Sequence, residues 1–241
     1  MTDLVSPFVV TCEHASNAVP KDGPSLGVPR RLLESHAAWD PGAREVALQL
    51  ALRLNGALEL GRYTRLLVDL NRSAHNREAV VPAVCYGVDV PGNQGLTELQ
   101  REERIRSYHH PYREAVGAHV ARSIDRVGRC VMISVHSFTP ALDPDNRRFD
   151  VGVMYDRSMP WEEAAVDRLE HSLAVHGRSS ERNRPYDGQA DSVLSGFRSQ
   201  WPGPAFLGIE LEINQAMING HDWITPLTDA LVEGLREPRA E

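Results

Sequence analysis

Phe8-Val-Val-Thr-Cys-Glu-His14-Ala-Ser-Asn17 is an apolar run that ends abruptly on polar and ionisable residues. Its apolar and β-branched residues show little polar alternation, which indicates a strand covered on both faces. Glu13 and His14 then lie at the carboxyl end of that strand, where open α/β sheets bind their ligands. The run therefore predicts both an α/β sheet and the position of a functional site.

The same pattern recurs at two other points of the chain. Cys130-Val-Met-Ile-Ser-Val135 runs into His136, and Thr64-Arg-Leu-Leu-Val-Asp-Leu70 runs into Asn71 and Arg72. Both runs predict buried strands, and the helical patterns between them favour a largely parallel sheet with helices on both faces. The polar residues after the three runs would then meet in one crevice.

Length and composition limit the classes of protein to consider. A chain of 241 residues is long enough for one α/β domain with a large core, so we expect a single domain over residues 1–241. The net charge of −7 is spread along the chain, without the basic block that would mark a nucleic-acid surface. The sequence lacks a signal-peptide pattern, an apolar run of about 18 residues and any CxxC pair. We therefore expect a cytoplasmic protein that binds neither nucleic acid nor membranes.

His14 and His136 are the leading candidates for metal ligands. Neutral imidazole is the commonest protein ligand of Zn²⁺, and a catalytic zinc takes three protein ligands and a water. A third ligand would be a carboxylate, and Glu13, Glu34 and Asp40 are near His14 in the sequence. The alternative is that both histidines are ordinary hydrogen-bonded residues at strand ends, and that Asp40 only caps the helix that follows it.

Charged residues near other strands supply further candidates. Asn71 and Arg72 suit a substrate carboxylate, because a guanidinium group offers a planar pair of donors, although a surface salt bridge is the alternative. Glu210 and Glu212 share one face of the predicted strand 206–213, because side chains alternate along a strand. A buried carboxylate is costly without a partner, so at least one of them would belong to the site, unless this strand is a solvated edge.

Two other segments carry expectations about the surroundings of the site. Residues 73–95 contain several prolines and glycines, which predicts an irregular segment, and its place directly after Arg72 suggests a wall of the site. His109 and His110 precede Pro111, where a long helical region is expected to bend, and we expect both to be solvated.

Several motifs together resemble the N-formylglutamate amidohydrolase family. They are Glu13-His14-Ala-Ser-Asn17, His36-Ala-Ala-Trp-Asp40-Pro-Gly-Ala, Asp69-Leu-Asn-Arg72, His136-Ser-Phe138, Asn183-Arg-Pro-Tyr186 and Gly208-Ile-Glu210. The combination spans nearly the whole chain and is more specific than any single motif. That family is similar in fold to zinc carboxypeptidases and aspartoacylases. The resemblance therefore implies a three-layer α/β/α fold with a mostly parallel, mixed sheet and one metal ion at the strand ends.

The resemblance also implies a ligand set. His14 and His136 would bind the metal, which would be zinc or another divalent ion. Carboxypeptidases place a glutamate ligand three residues after the first histidine, but this position is Asn17 here. We therefore predict Asp40 as the third ligand, with Glu13 as the alternative.

The remaining implied roles concern the substrate. Asn71 and Arg72 would bind its carboxylate, Glu210 would be the general base, and Tyr186 would complete the pocket. The implied reaction is metal-dependent hydrolysis of the amide of N-formyl-L-glutamate or a related N-acyl amino acid, a small anionic substrate. The alternatives are a carboxypeptidase or amidase that acts on peptide-like fragments, and a metal-free binding protein of the same fold.

Overall fold

A six-stranded sheet organises the computed structural model, which describes residues 6–142, 147–218 and 222–236. Its strands are β1 (Phe8–Cys12), β2 (Ala57–Leu60), β5 (Cys130–Phe138), β6 (Val151–Met154), β7 (Ser180–Arg182) and β8 (Phe206–Asn214). A separate two-stranded hairpin consists of β3 (Val84–Cys85) and β4 (Val88–Asp89). The order across the sheet is β2-β1-β5-β8-β6-β7. The first four are parallel to one another, whereas β6 is antiparallel to β8 and β7 is parallel to β6.

Helices cover both faces of this sheet. They are α1 (Arg30–Leu33), α2 (Ala43–Leu54), α3 (Arg77–Val80), α4 (Glu98–Arg104), α5 (His110–Val127), α6 (Pro160–Val175), α7 (Val193–Gln200) and α8 (Ile224–Leu235). The buried residues of α2, α6 and α8 form one apolar cluster with the sheet, and those of α5 and α7 form a second cluster on the opposite face. The predicted three-layer α/β/α fold with a mostly parallel, mixed sheet is thus confirmed. Among the described residues, no helix combines the length and the apolar character needed to cross a membrane.

The two faces of the sheet differ in polarity towards the carboxyl ends of β5 and β8. On the face covered by α5 and α7, β5 changes from the buried Met132 to Ser134 and His136, and β8 carries Glu210 and Glu212. The intervening residues of both strands belong to the apolar cluster on the opposite face. Because side chains alternate along a strand, the polar groups of neighbouring strands are brought together on one face.

Residues 64–70, predicted to form a strand, instead form buried turns. The leucines of this segment are buried, which accounts for the apolar signal in the sequence. Its backbone does not pair with a strand. Arg65 N donates to Ala38 O in a loop at 3.2 Å, and Asp69 N donates to Val80 O at the end of α3 at 2.8 Å. A short apolar run indicates that a segment is buried, but it does not indicate whether the backbone of that segment pairs with a strand. The prediction was wrong for that reason.

Strand β7 was not predicted from the sequence. It is only 3 residues long and carries the polar residues Ser180, Glu181 and Arg182 at the edge of the sheet. Arg182 there pairs with Glu170 and Asp167 of α6 at 2.5 and 2.6 Å. A polar edge strand has no apolar alternation to detect, so only the tertiary structure identifies it.

A buried ion pair between Glu162 and Arg198 connects α6 to α7 beneath the polar end of the sheet. Both side chains are at most 6% exposed. Glu162 accepts from Arg198 Nε at 2.9 Å and from Gly208 N of β8 at 3.0 Å. Arg198 also donates from Nη1 to Gly188 O at 3.0 Å, in the loop before α7. The pair therefore holds that loop against the central part of the sheet.

Replacing Arg198 by methionine should strongly destabilise the fold, because Glu162 would stay buried without its charge partner. We expect the free energy of unfolding to fall by roughly 3–5 kcal/mol. Urea unfolding followed by circular dichroism measures this change. Glu98→Gln is the control, because the Glu98 side chain is 68% exposed and its loss should leave the midpoint unchanged. A loss for Arg198→Met no larger than for the control would contradict this role.

Candidate metal centre

Three buried side chains meet at the carboxyl edge of the sheet. His14 follows β1, His136 lies in β5, and Asp40 lies in the loop before α2. Asp40 Oδ2 is 2.8 Å from His136 Nδ1 and 3.3 Å from His14 Nδ1. One potential ligand atom from each of the three residues lies within 4.8 Å of the others. The group could therefore hold a metal ion.

The outer nitrogen of each histidine ring contacts a second carboxylate. His14 Nε2 is 2.7 Å from Asp69 Oδ1, and His136 Nε2 is 3.1 Å from Glu13 Oε2. Metal-binding histidines usually bond a carboxylate or carbonyl through the nitrogen that faces away from the ion, which fixes the ring orientation. The Nδ1 atoms of both rings thus point to one place together with Asp40, and this arrangement fits a metal centre.

Glu13 lies behind His136 and is fully engaged there. Besides His136, it accepts hydrogen bonds from Ser134 Oγ at 2.7 Å and from Tyr112 OH at 2.8 Å. Burial alone would raise the pKa of Glu13, but the bonds from His136, Ser134 and Tyr112 lower it to about 2. Of the carboxylates considered as a third ligand, Glu34 is also set apart, because it is exposed and pairs with Arg30 at 2.6 Å. Asp40 is the one that lies beside both histidine Nδ1 atoms.

Asp40 does not cap α2, contrary to the alternative interpretation of the sequence. The helix begins at Ala43, and its N-cap is Gly42 with a φ of 79°. The carboxylate of Asp40 instead pairs with the guanidinium group of Arg65 and with the two histidines. Burial opposes ionisation of Asp40, but the charge of Arg65 and the histidine hydrogen bonds hold its pKa well below the usual value. It is therefore an ionised acceptor inside the protein.

A pocket of about 200 Å³ opens beside this group. The predicted site residues Asn71, Arg72, Tyr186 and Glu210 line it together with His14, Asp40 and His136. The structure thus brings all seven positions named from the sequence to one cavity. Their roles in binding and catalysis remain predictions.

Asn71 is held by both ends of its amide group. Its Nδ2 donates to Glu210 Oε2 at 3.3 Å, and its Oδ1 accepts from Val193 N, the first residue of α7, at 2.7 Å. Asn71 therefore connects the predicted base to the start of α7. Arg72 Nη1 donates to Asp191 O at 2.7 Å, so the loop before α7 also positions this guanidinium group.

His109 is buried, not solvated as expected from the sequence. It is 3% exposed, and its Nε2 donates to Arg72 O at 2.8 Å. Burial is the main cause that lowers the pKa of His109 to about 4, so the ring is neutral at pH 7. The carbonyl group that accepts this bond lies 37 positions away in the chain, which no local sequence pattern reveals.

Three contributors to this site were not assigned a role from the sequence. Asp69 orients His14, Arg65 pairs with Asp40, and Tyr86 lines the pocket at the turn of the β3–β4 hairpin. The Tyr86 hydroxyl is 3.4 Å from that of Tyr186. Asp69 belongs to the motif Asp69-Leu-Asn-Arg72, so the sequence did contain a signal that could have identified it as a site residue. Residues 73–95 were expected to be irregular, but they contain α3 and the β3–β4 hairpin, so that part of the prediction was wrong. The expectation that this segment forms a wall of the site is confirmed at Tyr86.

The combination of fold and polar residues has counterparts among known proteins. A model of the N-formylglutamate amidohydrolase family matches residues 6–219. The chain belongs to this family. Membership supports an amidohydrolase, an enzyme that hydrolyses amides. The chain matches no curated protein sequence.

Solved structures extend this likeness. The gene product Atu2144 from Agrobacterium tumefaciens is 27% identical, with 95% of this chain and 89% of that chain covered and a TM-score of 0.82. An N-formylglutamate amidohydrolase from Ralstonia eutropha JMP134 is 19% identical, with 96% of this chain and 92% of that chain covered and a TM-score of 0.73. At 19% identity, the second likeness concerns the fold alone.

Removing the charge behind His14 should weaken metal binding without unfolding the protein. Asp69→Asn keeps the size of the side chain but loses the carboxylate that orients the ring. We expect the affinity for added Zn²⁺ to fall roughly 10–100-fold, as measured by competition with a chromophoric chelator. Asp125→Asn, which changes an exposed carboxylate on α5, is the matched control. Equal affinities of the two variants would refute the orienting role of Asp69.

Proposed function

We propose that this member of the family is a metal-dependent hydrolase that cleaves the linear amide of an N-acyl amino acid, with N-formyl-L-glutamate as the first substrate to test. The observation that carries the proposal is the His14–Asp40–His136 group at the side of a small pocket. Carboxylates orient both histidine rings, and Glu210 and Arg72 line the same cavity.

Zinc is the ion that best suits this donor set. Two imidazole nitrogens and one carboxylate oxygen, with a free position for water, are typical of catalytic zinc sites. When bound, such an ion polarises a carbonyl group and acidifies a water ligand. Carboxyl groups outnumber arginines among the described residues that line the pocket, which also favours a cation. The carboxyl groups are those of Asp40, Asp187, Asp191, Glu210 and Glu212, and the arginines are Arg65 and Arg72.

Glu210 is the residue proposed to move the proton. It is 7% exposed, lines the pocket, and is held through one oxygen by Asn71. The other oxygen is left to accept a proton from the attacking water and to pass it to the leaving amine. Asn71 acts as a positioning residue, because its hydrogen bond fixes the carboxylate.

Arg72 is proposed to bind the carboxylate of the substrate. Its Nη1 is held by two backbone carbonyl groups, those of Asn71 and Asp191, so the guanidinium group has a defined position. The start of α7 is adjacent, and its peptide dipoles add a small favourable field for an anion. Tyr86 and Tyr186 contact each other beside the pocket and would limit access of water to it.

Pocket size favours this proposal over its main rival. A carboxypeptidase or amidase that acts on peptide-like fragments could use the same polar groups. The cavity of about 200 Å³ is below the usual range for larger ligands and favours a substrate of the size of one acylated amino acid. A panel of formylated, acylated and peptidyl amino acids separates the two activities.

Metal removal should abolish activity. We expect the purified protein to contain about one zinc ion per chain, on the stoichiometry of a mononuclear site. Formate release from an N-formyl amino acid should stop after chelation and return on adding Zn²⁺. Metal content by mass spectrometry and a formate assay measure the two quantities. A protein without metal and without activity after zinc is added would favour the second alternative, a metal-free binding protein of the same fold.

Glu210→Gln should separate metal binding from catalysis. The amide cannot accept the proton, so kcat should fall by roughly 10²–10⁴-fold while zinc content stays normal. His14→Ala and Asp40→Ala should instead lose the metal together with the activity. Retention of activity by Glu210→Gln would show that another group is the base.

A further inference from the structure

Two side chains at the start of α5 hold the backbone carbonyl group of Arg72. His109, the N-cap residue of α5, donates from Nε2 to Arg72 O at 2.8 Å, and Arg113 donates from Nη2 to the same oxygen at 3.2 Å. Both side chains line a separate groove between α5 and α7, whereas Arg72 lines the pocket beside the histidines. Their connection to the pocket therefore passes through the main chain of Arg72.

Arg113 also bonds to the first residue of α7. Its Nη1 donates to Val193 O at 2.9 Å, and Val193 N donates to Asn71 Oδ1 at 2.7 Å. Asn71 and Arg72 are thus bonded to the same residue of α7, the first directly and the second through Arg113. A planar guanidinium group suits this position, because it can direct two donors to two carbonyl oxygens at once. The Arg113 guanidinium group also lies 5.8 Å from the centre of the Phe197 ring of α7, which restricts its movement.

The helical backbone departs from regular geometry just before these contacts. Ile105–His109 form a π-helical turn between α4 and α5, and His109 is its last residue. Such turns are rare and occur frequently at functional sites. The irregular turn therefore ends at the residue whose ring holds the Arg72 carbonyl group.

The carbonyl contacts complete the restraint on Arg72. Its guanidinium group is already held through Nη1, which donates to Asp191 O at 2.7 Å. A guanidinium group binds a carboxylate best through two parallel hydrogen bonds, which require a defined position of the whole group. Without donors from α5, the carbonyl group of Arg72 would have to find new partners, and the main chain would shift to reach them.

We propose that His109 and Arg113 are positioning residues for the substrate carboxylate, because they fix the main chain of Arg72 and thereby the direction of its guanidinium group. This inference rests on the proposed function, in which Arg72 binds a carboxylate of the substrate. It gives a role in substrate binding to two side chains that act on the pocket through a neighbour.

Loss of either donor should raise KM. His109→Phe keeps a ring but lacks the donor, and Arg113→Met keeps an apolar stem without the guanidinium group. For hydrolysis of N-formyl-L-glutamate by the zinc-loaded protein, we expect KM to rise roughly tenfold and kcat to stay within about twofold, because binding common to the ground and transition states is lost. His109→Gln, which can place a donor near the position of Nε2, should restore most of the affinity. Arg122→Met, which changes an exposed arginine of α5, should leave KM unchanged.

A double-mutant cycle with Arg72→Ala separates positioning from a general structural effect. The alanine variant keeps the carbonyl group that His109 and Arg113 hold, but it lacks the guanidinium group. If both residues act through Arg72, His109→Phe and Arg113→Met should change kcat/KM by less than about twofold in this background. An equal loss of kcat/KM in the wild-type and Arg72→Ala backgrounds would overturn the inference, because the effect would then arise elsewhere in the site.

The other outcomes are equally decisive. Unchanged KM in His109→Phe and Arg113→Met, or a fall in kcat alone, would overturn the inference while the proposed hydrolase stands. If the zinc-loaded wild-type protein hydrolyses no compound of the acyl panel, the proposed function fails and the inference fails with it. If Arg113→Met does not fold, as judged by circular dichroism, the comparison of His109→Phe with His109→Gln decides the question.

Discussion

The buried carboxylate of Asp40 is the constraint on which the site depends. Taking a charge out of water costs several kcal/mol unless partners compensate for it. Here the partners are the Arg65 guanidinium group and the rings of His14 and His136, which come from three other segments of the chain. Because the cost is met only when all of these segments are in place, the fold and the candidate metal centre depend on the same contacts.

The carboxylates behind the histidines extend this constraint outward. Asp69 contacts His14, and Glu13 contacts His136. Glu13 also accepts hydrogen bonds from the hydroxyl groups of Ser134 in β5 and Tyr112 in α5. Each histidine ring therefore contacts Asp40 through Nδ1 and a second carboxylate through Nε2. These two contacts fix the direction in which Nδ1 points. Such preorganisation is what a metal site needs, since ligands that must reorganise lose affinity.

Sheet topology explains why the acidic groups accumulate on one face. Neighbouring parallel strands β1, β5 and β8 end at the same edge, and the period of two directs Glu13, His136, Glu210 and Glu212 to the same side. The helices that cover this face leave its polar end open, and the loop before α7 lines the gap. A pocket built in this way combines carboxyl groups from the strands with the guanidinium groups of Arg65 and Arg72.

The sequence by itself determined the fold class, the strands β1, β5 and β8, and most of the polar residues that line the pocket. These features follow from local signals: apolar runs that end on ionisable residues, alternation along a strand, and a set of motifs that together indicate one family. His14, His136 and Glu210 could be named because each sits on or directly after such a run. Much of the candidate site was therefore predictable.

Only the tertiary structure decided between Asp40 and Glu13 as the neighbour of both histidine Nδ1 atoms, and only it revealed Arg65 and Tyr86. It also showed that residues 64–70 form turns rather than a strand. The physical reason is the same in each case. Apolar composition reports that a segment is buried, but the partner of a buried charge or backbone group is chosen by contacts between residues far apart in the chain.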